Sequence, residues 1–270
     1  MFGSLSRKEI PLSWRPFCYN TYSSLFQVNL SEISDPIDSF PTFNSFFTRK
    51  LKPDARPIDP SSLVSPCDGR ITSLGVASEK LMSIKGRDYK LTQLLTGSSL
   101  IFEFYKDSIM KNKENELYYV TIYLPLGDCH RFFVPCEWEI VFRRHMHGYL
   151  QGVFEWNLLR KSEVFCYNER VSYFGKWKFG AMHYVAVASF NIGDINVYED
   201  EGLKTNVSKF TSPRKMMEET NINKSFKKGQ EFGVFNAGST IVLVFEAPKD
   251  LKWAVNIGDR VLAGSKLMND

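Results

Sequence analysis

The sequence predicts an α+β protein that is mainly β, with amphipathic helices at its N-terminal periphery. Beyond about residue 62, the apolar residues fall in short runs rich in Val, Ile, Phe and Tyr, and turn residues separate these runs. The first 50 or so residues instead place aromatic side chains at helical spacing. With 270 residues, of which 43% are hydrophobic, the chain can bury the core of one large domain.

Residues 1–51 are predicted to be helical. The apolar residues that recur at helical spacing are Leu12, Trp14, Phe17, Tyr22, Leu25 and Phe26, followed by Phe43, Phe46, Phe47 and Leu51. The last four fall on one predicted helix face. Two interpretations remain open, because such a face can pack on the main domain or present aromatic rings with basic neighbours to a membrane.

A Pro-rich stretch, Lys52–Ser62, marks a boundary, after which residues 52–270 are predicted to form one β domain. The predicted strands lie in YYVTIYLPL, FFVPCEWEIVF, HYVAVASFNIGDINVY and STIVLVFEA. LQGVFEWNLLRK is predicted to be a helix, and the polar stretches 106–116 and 211–230 are predicted to be loops. Near the C-terminus, V-x-I-G-D-x-V-x-x-G-x-x-L resembles the hairpin of barrel-sandwich folds, which predicts a barrel-sandwich-like β domain. No lysine stands at the tip of this hairpin, so a swinging-arm carrier is disfavoured.

Charge and cysteine content exclude several classes of protein. The net charge is +4, from 34 basic and 30 acidic residues, and the basic residues form no long stripe, so no nucleic-acid partner is predicted. The five cysteines are scattered without a C-x-x-C pair, which argues against a disulfide framework and favours a reducing compartment. No apolar run approaches the ~20 residues of a membrane span and no signal peptide is visible, so any membrane contact is expected to be peripheral.

A Gly-Ser-Thr triplet, Gly238 to Thr240, stands at the start of a very apolar predicted strand. It forms a tight turn on one interpretation, and on another Ser239 attacks its own backbone. Asp68, His130 and Ser239 also carry the side-chain types of a hydrolase triad, but the serine lacks the G-x-S-x-G elbow, so a serine hydrolase is disfavoured. Taken singly, Asp68 fits a turn residue and His130 a structural histidine.

Several stretches together resemble one known family over nearly the whole chain. They are FFTRKLKPDARPI, SPCDGRI, NELYYVTIYLPLGDCHRF, NERV and FNAGSTIVLVFEAPKD. In them the sequence resembles phosphatidylserine decarboxylase proenzymes of the mitochondrial, eukaryotic type. The resemblance implies self-cleavage between Gly238 and Ser239 into chains 1–238 and 239–270, with Ser239 converted into a pyruvoyl cofactor. It also implies conversion of phosphatidylserine to phosphatidylethanolamine and CO2, peripheral binding to the mitochondrial inner membrane, and a homodimer as one possible assembly.

The resemblance assigns roles in the self-cleavage. Ser239 would attack the carbonyl of Gly238, and a histidine oriented by Asp68 would act as the base. A glycine before the serine allows the strained turn that this attack requires. Thr240 would support the oxyanion or the leaving amide.

The resemblance also points to residues for the decarboxylation. His130 is the candidate proton donor, since the charge of a histidine changes near neutral pH. Asn168 and Arg170, in the NERV stretch, are expected to support the site, with Arg170 paired to an internal carboxylate.

The sequence departs from the family pattern at Phe133. The family shows His-x-x-His where this chain reads HRFF from His130 onward, and the second histidine is the one assigned to self-cleavage with Asp68 and Ser239. A phenylalanine cannot accept a proton, so the departure affects maturation more than decarboxylation. His130 could serve both steps, cleavage could be slower, or another histidine could reach the site, the candidates being His145, His147 and His183. The alternative function is an uncleaved paralogue that binds lipid or acts as a scaffold.

His145 and His147 would lie on one face of a strand, as metal ligands can. The sequence offers no third ligand at a suitable spacing, so no metal site is predicted. Arg143, Arg144 and the basic residues of 209–228 could meet lipid phosphates, although a solvated charged surface is the more common arrangement.

Overall fold

A computed structural model of the chain describes residues 6–82, 88–151, 164–189, 194–206, 217–236 and 239–270. The α-helices in these ranges are α1 (Arg15–Phe26), α2 (Phe43–Phe47), α3 (Leu91–Thr96), α4 (Phe102–Ile109) and α5 (Val164–Tyr167), and short 3₁₀ helices cover Leu12–Trp14, Leu30–Glu32, Ile37–Ser39 and Pro53–Ala55. The strands are β1 (Gly69–Val76), β2 (Lys80–Met82), β3 (Asp88–Lys90), β4 (Asn115–Leu124), β5 (Arg131–Phe133), β6 (Trp138–Met146), β7 (Arg170–Trp177), β8 (Gly180–Val187), β9 (Ile195–Val197), β10 (Met217–Phe226), β11 (Glu231–Phe235), β12 (Ser239–Pro248), β13 (Lys252–Trp253), β14 (Arg260–Val261) and β15 (Met268–Asn269).

Eight strands form one antiparallel sheet in the order β10-β6-β7-β8-β12-β4-β1-β14. A three-stranded sheet, β5-β11-β9, and the pairs β13–β15 and β2–β3 account for the other described strands. The prediction of a mainly β protein with a few helices is therefore confirmed. The barrel-sandwich-like architecture is not confirmed, because the main sheet is open, with β10 and β14 as its outermost strands, and the described strands do not close into a barrel.

Strand β12 lies inside the main sheet and is buried on both faces. Ile241, Leu243 and Phe245 belong to the larger core cluster, whereas Val242 and Val244 belong to a second cluster to which α3, α4 and α5 contribute. Successive side chains of a strand point to opposite faces, so a strand that is covered on both sides is a continuous apolar run. This explains why STIVLVFEA predicts a strand so clearly, and the prediction is confirmed.

Two stretches that were predicted to be loops are partly regular structure. Within 106–116, α4 continues to Ile109 and β4 begins at Asn115. Within 211–230, β10 pairs with β6 along the sheet edge, and its side chains are mostly exposed, so it lacks the apolar alternation that predicts a strand. Most of the predicted helix at 150–161, and residues 211–216, lie outside the described part of the chain.

The N-terminal segment forms a small aromatic core of its own and contacts the later part of the chain through hydrogen bonds. Tyr19 and Phe46 stack with ring centroids 4.5 Å apart, and both side chains are fully buried. The Tyr22 hydroxyl donates to the Leu126 carbonyl at 2.7 Å, in the loop that precedes His130. The segment therefore reaches the predicted site.

The amphipathic character predicted for the N-terminal helices is not confirmed. Tyr19 of α1 is buried, but Phe17 and Leu25 of the same helix are exposed, so apolar residues lie on more than one side. Helix α2 ends at Phe47, and Leu51 lies beyond it. In the described residues, no helix combines the length and the apolar character that crossing a membrane would require.

Candidate active site

One end of the main sheet gathers predicted site residues from distant parts of the chain. A row of register partners crosses the sheet there, from Met146 through Arg170, Val187, Thr240 and Tyr123 to Arg70. Ser239 begins β12 opposite Leu124, and Asp68 immediately precedes β1 at the same end. Strand pairing thus brings the SPCDGRI, NERV and GST stretches to the same end of the sheet.

Asp68 is buried and is held by an arginine. Arg56 donates from Nε to Oδ1 at 2.7 Å and from Nη2 to Oδ2 at 2.6 Å, and the Ala263 amide donates to Oδ1 at 2.9 Å. Arg56 also donates to Glu32 at 2.9 Å. Both carboxylate oxygens of Asp68 are thus engaged by groups other than a histidine, and the bidentate pair fixes the orientation of this side chain.

His130 is fully buried and carries a free ring nitrogen. Its Nδ1 lies 3.0 Å from the Asp128 carbonyl, which can only accept, so Nδ1 carries the proton and Nε2 the lone pair. Nε2 has no hydrogen-bond partner among the described residues. Burial lowers the pKa of His130 to about 3. The expectation that its charge changes near neutral pH is therefore wrong for this state, in which the ring is neutral at pH 7.

Asp128 is a functional candidate that the sequence interpretation missed. It is buried, its Oδ1 accepts from Arg260 Nη2 at 2.7 Å, and its Oδ2 has no hydrogen-bond partner among the described residues. Burial raises the pKa of the Asp128 carboxyl, Arg260 opposes this, and the charge of Asp68 adds to it. The only signal in the sequence is its place two residues before His130.

Helix α2 contacts both the histidine and the segment that leads to the predicted cleavage point. The Phe47 ring lies 3.9 Å from the His130 ring, centroid to centroid. Asn44 Nδ2 donates to Asn236 Oδ1 at 3.3 Å, and the Phe235 amide donates to the His130 carbonyl at 2.9 Å. The helix and β11 therefore place His130 beside the chain that runs toward the predicted cleavage point.

The cleavage point itself is only partly described. Gly238 and the side chain of Ser239 lie outside the described part of the chain. Thr240 follows at once, with its backbone paired to Tyr123 and Val187. Its hydroxyl is buried and has no hydrogen-bond partner in the described ranges, so it is a donor without an acceptor.

The two NERV residues brace this end of the sheet. Asn168 donates from Nδ2 to the carbonyls of Gln151 and Ala188 at 2.8 and 2.9 Å. The Arg170 guanidinium donates to four backbone carbonyls, those of Gln93, Leu94, Cys166 and Asn168. Among the described residues the Arg170 side chain thus binds backbone carbonyls and no carboxylate, contrary to the expectation that it pairs with an internal carboxylate. The adjacent carboxylate, Glu169, is bound by His145 and by the Asn206 amide instead.

Phe133 lies beside the segment that carries Asp68. Its amide donates to the Pro66 carbonyl at 2.7 Å, and its side chain is half-buried on β5. Pro66 precedes Asp68 by two residues, so a histidine at position 133 would have its backbone close to that of Asp68. In this chain the apolar ring occupies that place, and Arg56 neutralises the carboxylate.

The sequence predicted no metal site because no third ligand stands at a suitable spacing from His145 and His147, but strand pairing brings Glu218 next to them. Glu218 on β10 stands opposite His145 on β6, and one potential ligand atom from each of His145, His147 and Glu218 lies within 4.8 Å of the others. Glu218 is more than 70 residues from His147 in sequence, so only the pairing of β10 with β6 brings a third potential ligand to the two histidines.

Comparison with known proteins gives consistent matches. The family model described as phosphatidylserine decarboxylase matches residues 43–269. A Caenorhabditis elegans protein named mitochondrial phosphatidylserine decarboxylase proenzyme is 36% identical over 272 residues, which is 100% of this chain and 70% of that protein. A Rattus norvegicus protein of the same name is 35% identical over 98% of this chain and 70% of its own length. The Plasmodium falciparum phosphatidylserine decarboxylase proenzyme is 32% identical over 98% of this chain and 74% of its own length.

Proposed function

Because the chain belongs to the phosphatidylserine decarboxylase family, we propose that it cleaves itself between Gly238 and Ser239 and then decarboxylates phosphatidylserine to phosphatidylethanolamine. One observation carries the proposal in this chain. It is the buried, neutral imidazole of His130, whose Nε2 lone pair has no partner in the described residues. A buried acceptor without a partner is costly, so a role for it is expected.

His130 is the proposed base of the self-cleavage. The Asp128 carbonyl holds the Nδ1 proton, so Nε2 is the nitrogen that can take a proton. The His130 carbonyl accepts a hydrogen bond from the Phe235 amide, and the four residue steps from Phe235 to Ser239 span at most about 14 Å. With Phe133 in place of the second family histidine, His130 performs this step alone.

The proposed cleavage is balanced within the chain, apart from water and ammonia. Ser239 Oγ adds to the Gly238 carbonyl carbon while His130 Nε2 takes its proton, and the C–N bond breaks to leave an ester and an amine. Loss of the Ser239 α-proton then expels the Gly238 carboxylate. Water replaces the nitrogen as ammonia, which leaves a ketone at position 239. The Thr240 hydroxyl is the proposed donor to the developing oxyanion or the leaving amide.

The described residues fit a pyruvoyl group at position 239, because the orphaned Thr240 hydroxyl and His130 Nε2 both belong to this end of the sheet. When formed, the group supplies an electrophilic ketone that holds the substrate amine and accepts the electron pair that CO2 leaves behind. His130 is also the proposed donor of the proton that replaces the carboxylate, and because its resting ring is neutral, Nε2 must first take that proton from water. Asp68, Asn168 and Arg170 would hold the surrounding backbone.

The proposed setting is the surface of the mitochondrial inner membrane. Relatives named mitochondrial support the compartment. The exposed apolar residues Leu12, Trp14, Phe17 and Leu25 support peripheral binding through the N-terminal segment, which at the same time packs on residues 52–270. A homodimer is proposed by analogy with the family alone.

Intact mass under denaturing conditions tests the proposal. The purified chain should give two species, 1–238 and 239–270, with the smaller lighter by one ammonia than an unmodified peptide. The Ser239→Ala variant should remain one chain, because it has no hydroxyl for the attack. A single uncleaved species from the unaltered sequence would contradict the proposal and would favour the uncleaved lipid-binding alternative to which Phe133 points.

A further inference from the structure

Three potential ligands meet where β6 and β10 pair. His145 and Glu218 are direct register partners, so their side chains share one face of the sheet, and His147 follows two residues later on the same side. His147 Nε2 lies 3.8 Å from Glu218 Oε1, and the two imidazole ring centroids are 4.0 Å apart. Their potential ligand atoms all lie within 4.8 Å of one another.

The set suits a borderline first-row cation. Imidazole nitrogen binds Zn²⁺ and its neighbours well, and two histidines with one carboxylate form a common three-ligand site with an open position. Ligand atoms around Zn²⁺ lie roughly 3.3 Å apart, given bonds of about 2.0 Å. The observed spread of up to 4.8 Å thus requires only a small closure. The side chains of His147 and Glu218 are 35% and 41% exposed, so they have room to close.

A buried carboxylate, Glu169, orients the His145 ring and lies near the His147 ring. Glu169 Oε1 lies 2.9 Å from His145 Nε2 and 4.0 Å from His147 Nδ1. The Asn206 amide lies 3.0 Å from both oxygens of Glu169 and holds that carboxylate in place. A carboxylate that receives a ring N–H fixes the tautomer of a metal-binding histidine and raises its basicity.

The local charges also favour a cation. Glu169 and Glu218 contribute two negative charges. The next side chain on the same face, Arg143, is already paired with Asp200 at 3.2 Å.

We propose that His145, His147 and Glu218 bind a divalent cation of the Zn²⁺ class that joins β10 to β6. Strand β10 is an outermost strand of the main sheet, and most of its side chains are exposed. A cation would fasten it to its single neighbour in the sheet. The site lies three strands from β12, or roughly 14 Å at a strand spacing of about 4.8 Å, and it does not depend on the decarboxylase chemistry.

The test uses the purified full chain after dialysis against a chelator. Isothermal titration with Zn²⁺, and elemental analysis after gel filtration, should show one bound ion per chain, and Zn²⁺ should raise the midpoint of thermal unfolding. Mg²⁺ should not bind, because it prefers oxygen ligands. His147→Asn and Glu218→Gln should each weaken Zn²⁺ binding by at least about 100-fold, since even an outer-shell partner is worth 10- to 100-fold.

Glu219→Gln is the matched control. Glu219 is the next residue of β10, on the opposite face, and forms an exposed ion pair with Arg144. This variant should bind Zn²⁺ as the unaltered chain does. No stoichiometric binding, or binding that persists equally in the His147 and Glu218 variants because cysteines hold the ion, would overturn the proposal.

Discussion

Replacing His130 with asparagine should slow self-cleavage by about 10²- to 10⁴-fold, the usual contribution of a positioned general base. The side chain is fully buried, its Nδ1 is committed to the Asp128 carbonyl, and its Nε2 is free for the Ser239 proton. With Phe133 at the second family position, this chain has no imidazole in that place to take over. The rate would be followed by electrophoresis of newly translated chain in a cell-free system.

The pH dependence of the same rate gives an independent readout. A histidine with an ordinary pKa near 6.5 loses roughly 30-fold of its neutral form between pH 7.5 and pH 5. Burial depresses the pKa of His130 to about 3, so the base stays neutral above that value and the cleavage rate should change little over this range. A 30-fold fall would mean that another histidine, with an ordinary pKa, is the base.

His183→Asn is the matched control for the loss of a buried imidazole. His183 is also fully buried, its pKa is also lowered to about 3, and its partners are Tyr105 and Ser172. Its loss should cost stability as the loss of His130 does, because each removes a buried ring. Only His130→Asn should slow cleavage, and equal rates in the two variants would exclude His130 as the base.

The sequence predicted those parts of the fold that local pattern determines. Strands with both faces covered, such as β12, are continuous apolar runs. The outermost strand β10 was not predicted, because its mostly exposed side chains give a polar run that resembles a loop. Sheet closure could not be predicted either, because a hairpin motif near the C-terminus does not determine how many strands join.

The candidate site divides in the same way. The family motifs identified Asp68, His130 and Ser239, but not the partners that determine their chemical state. Whether Asp68 meets a histidine or Arg56 depends on how the segment before β1 packs, and the pKa of His130 depends on burial beneath Phe47. Both properties arise from tertiary contacts, and no spacing of residues along the sequence reports such contacts.

Replacing Asp68 with asparagine should lower the free energy of unfolding by about 3 kcal/mol, or more than 100-fold in the unfolding equilibrium. Asp68 is 2% exposed and the Arg56 side chain 10% exposed, so water screens their pairing little. The variant leaves a buried guanidinium with Glu32 as its remaining carboxylate, which places the loss at the lower end of the range for broken buried pairs. Urea unfolding of the uncleaved chain, with Ser239→Ala as background, measures it.

Glu32→Gln separates the structural from the chemical role of Asp68. Glu32 contacts the same arginine but is 29% exposed, so its loss should cost less than about 1 kcal/mol. If Asp68→Asn slows self-cleavage only as far as it unfolds the chain, Asp68 acts by anchoring Arg56 and the edge of β1. An anchoring contact cannot be lost without a loss of stability. If Asp68→Asn slows self-cleavage while the free energy of unfolding stays unchanged, the anchoring role is contradicted. That result would mean that Asp68 releases Arg56 and takes part in proton transfer.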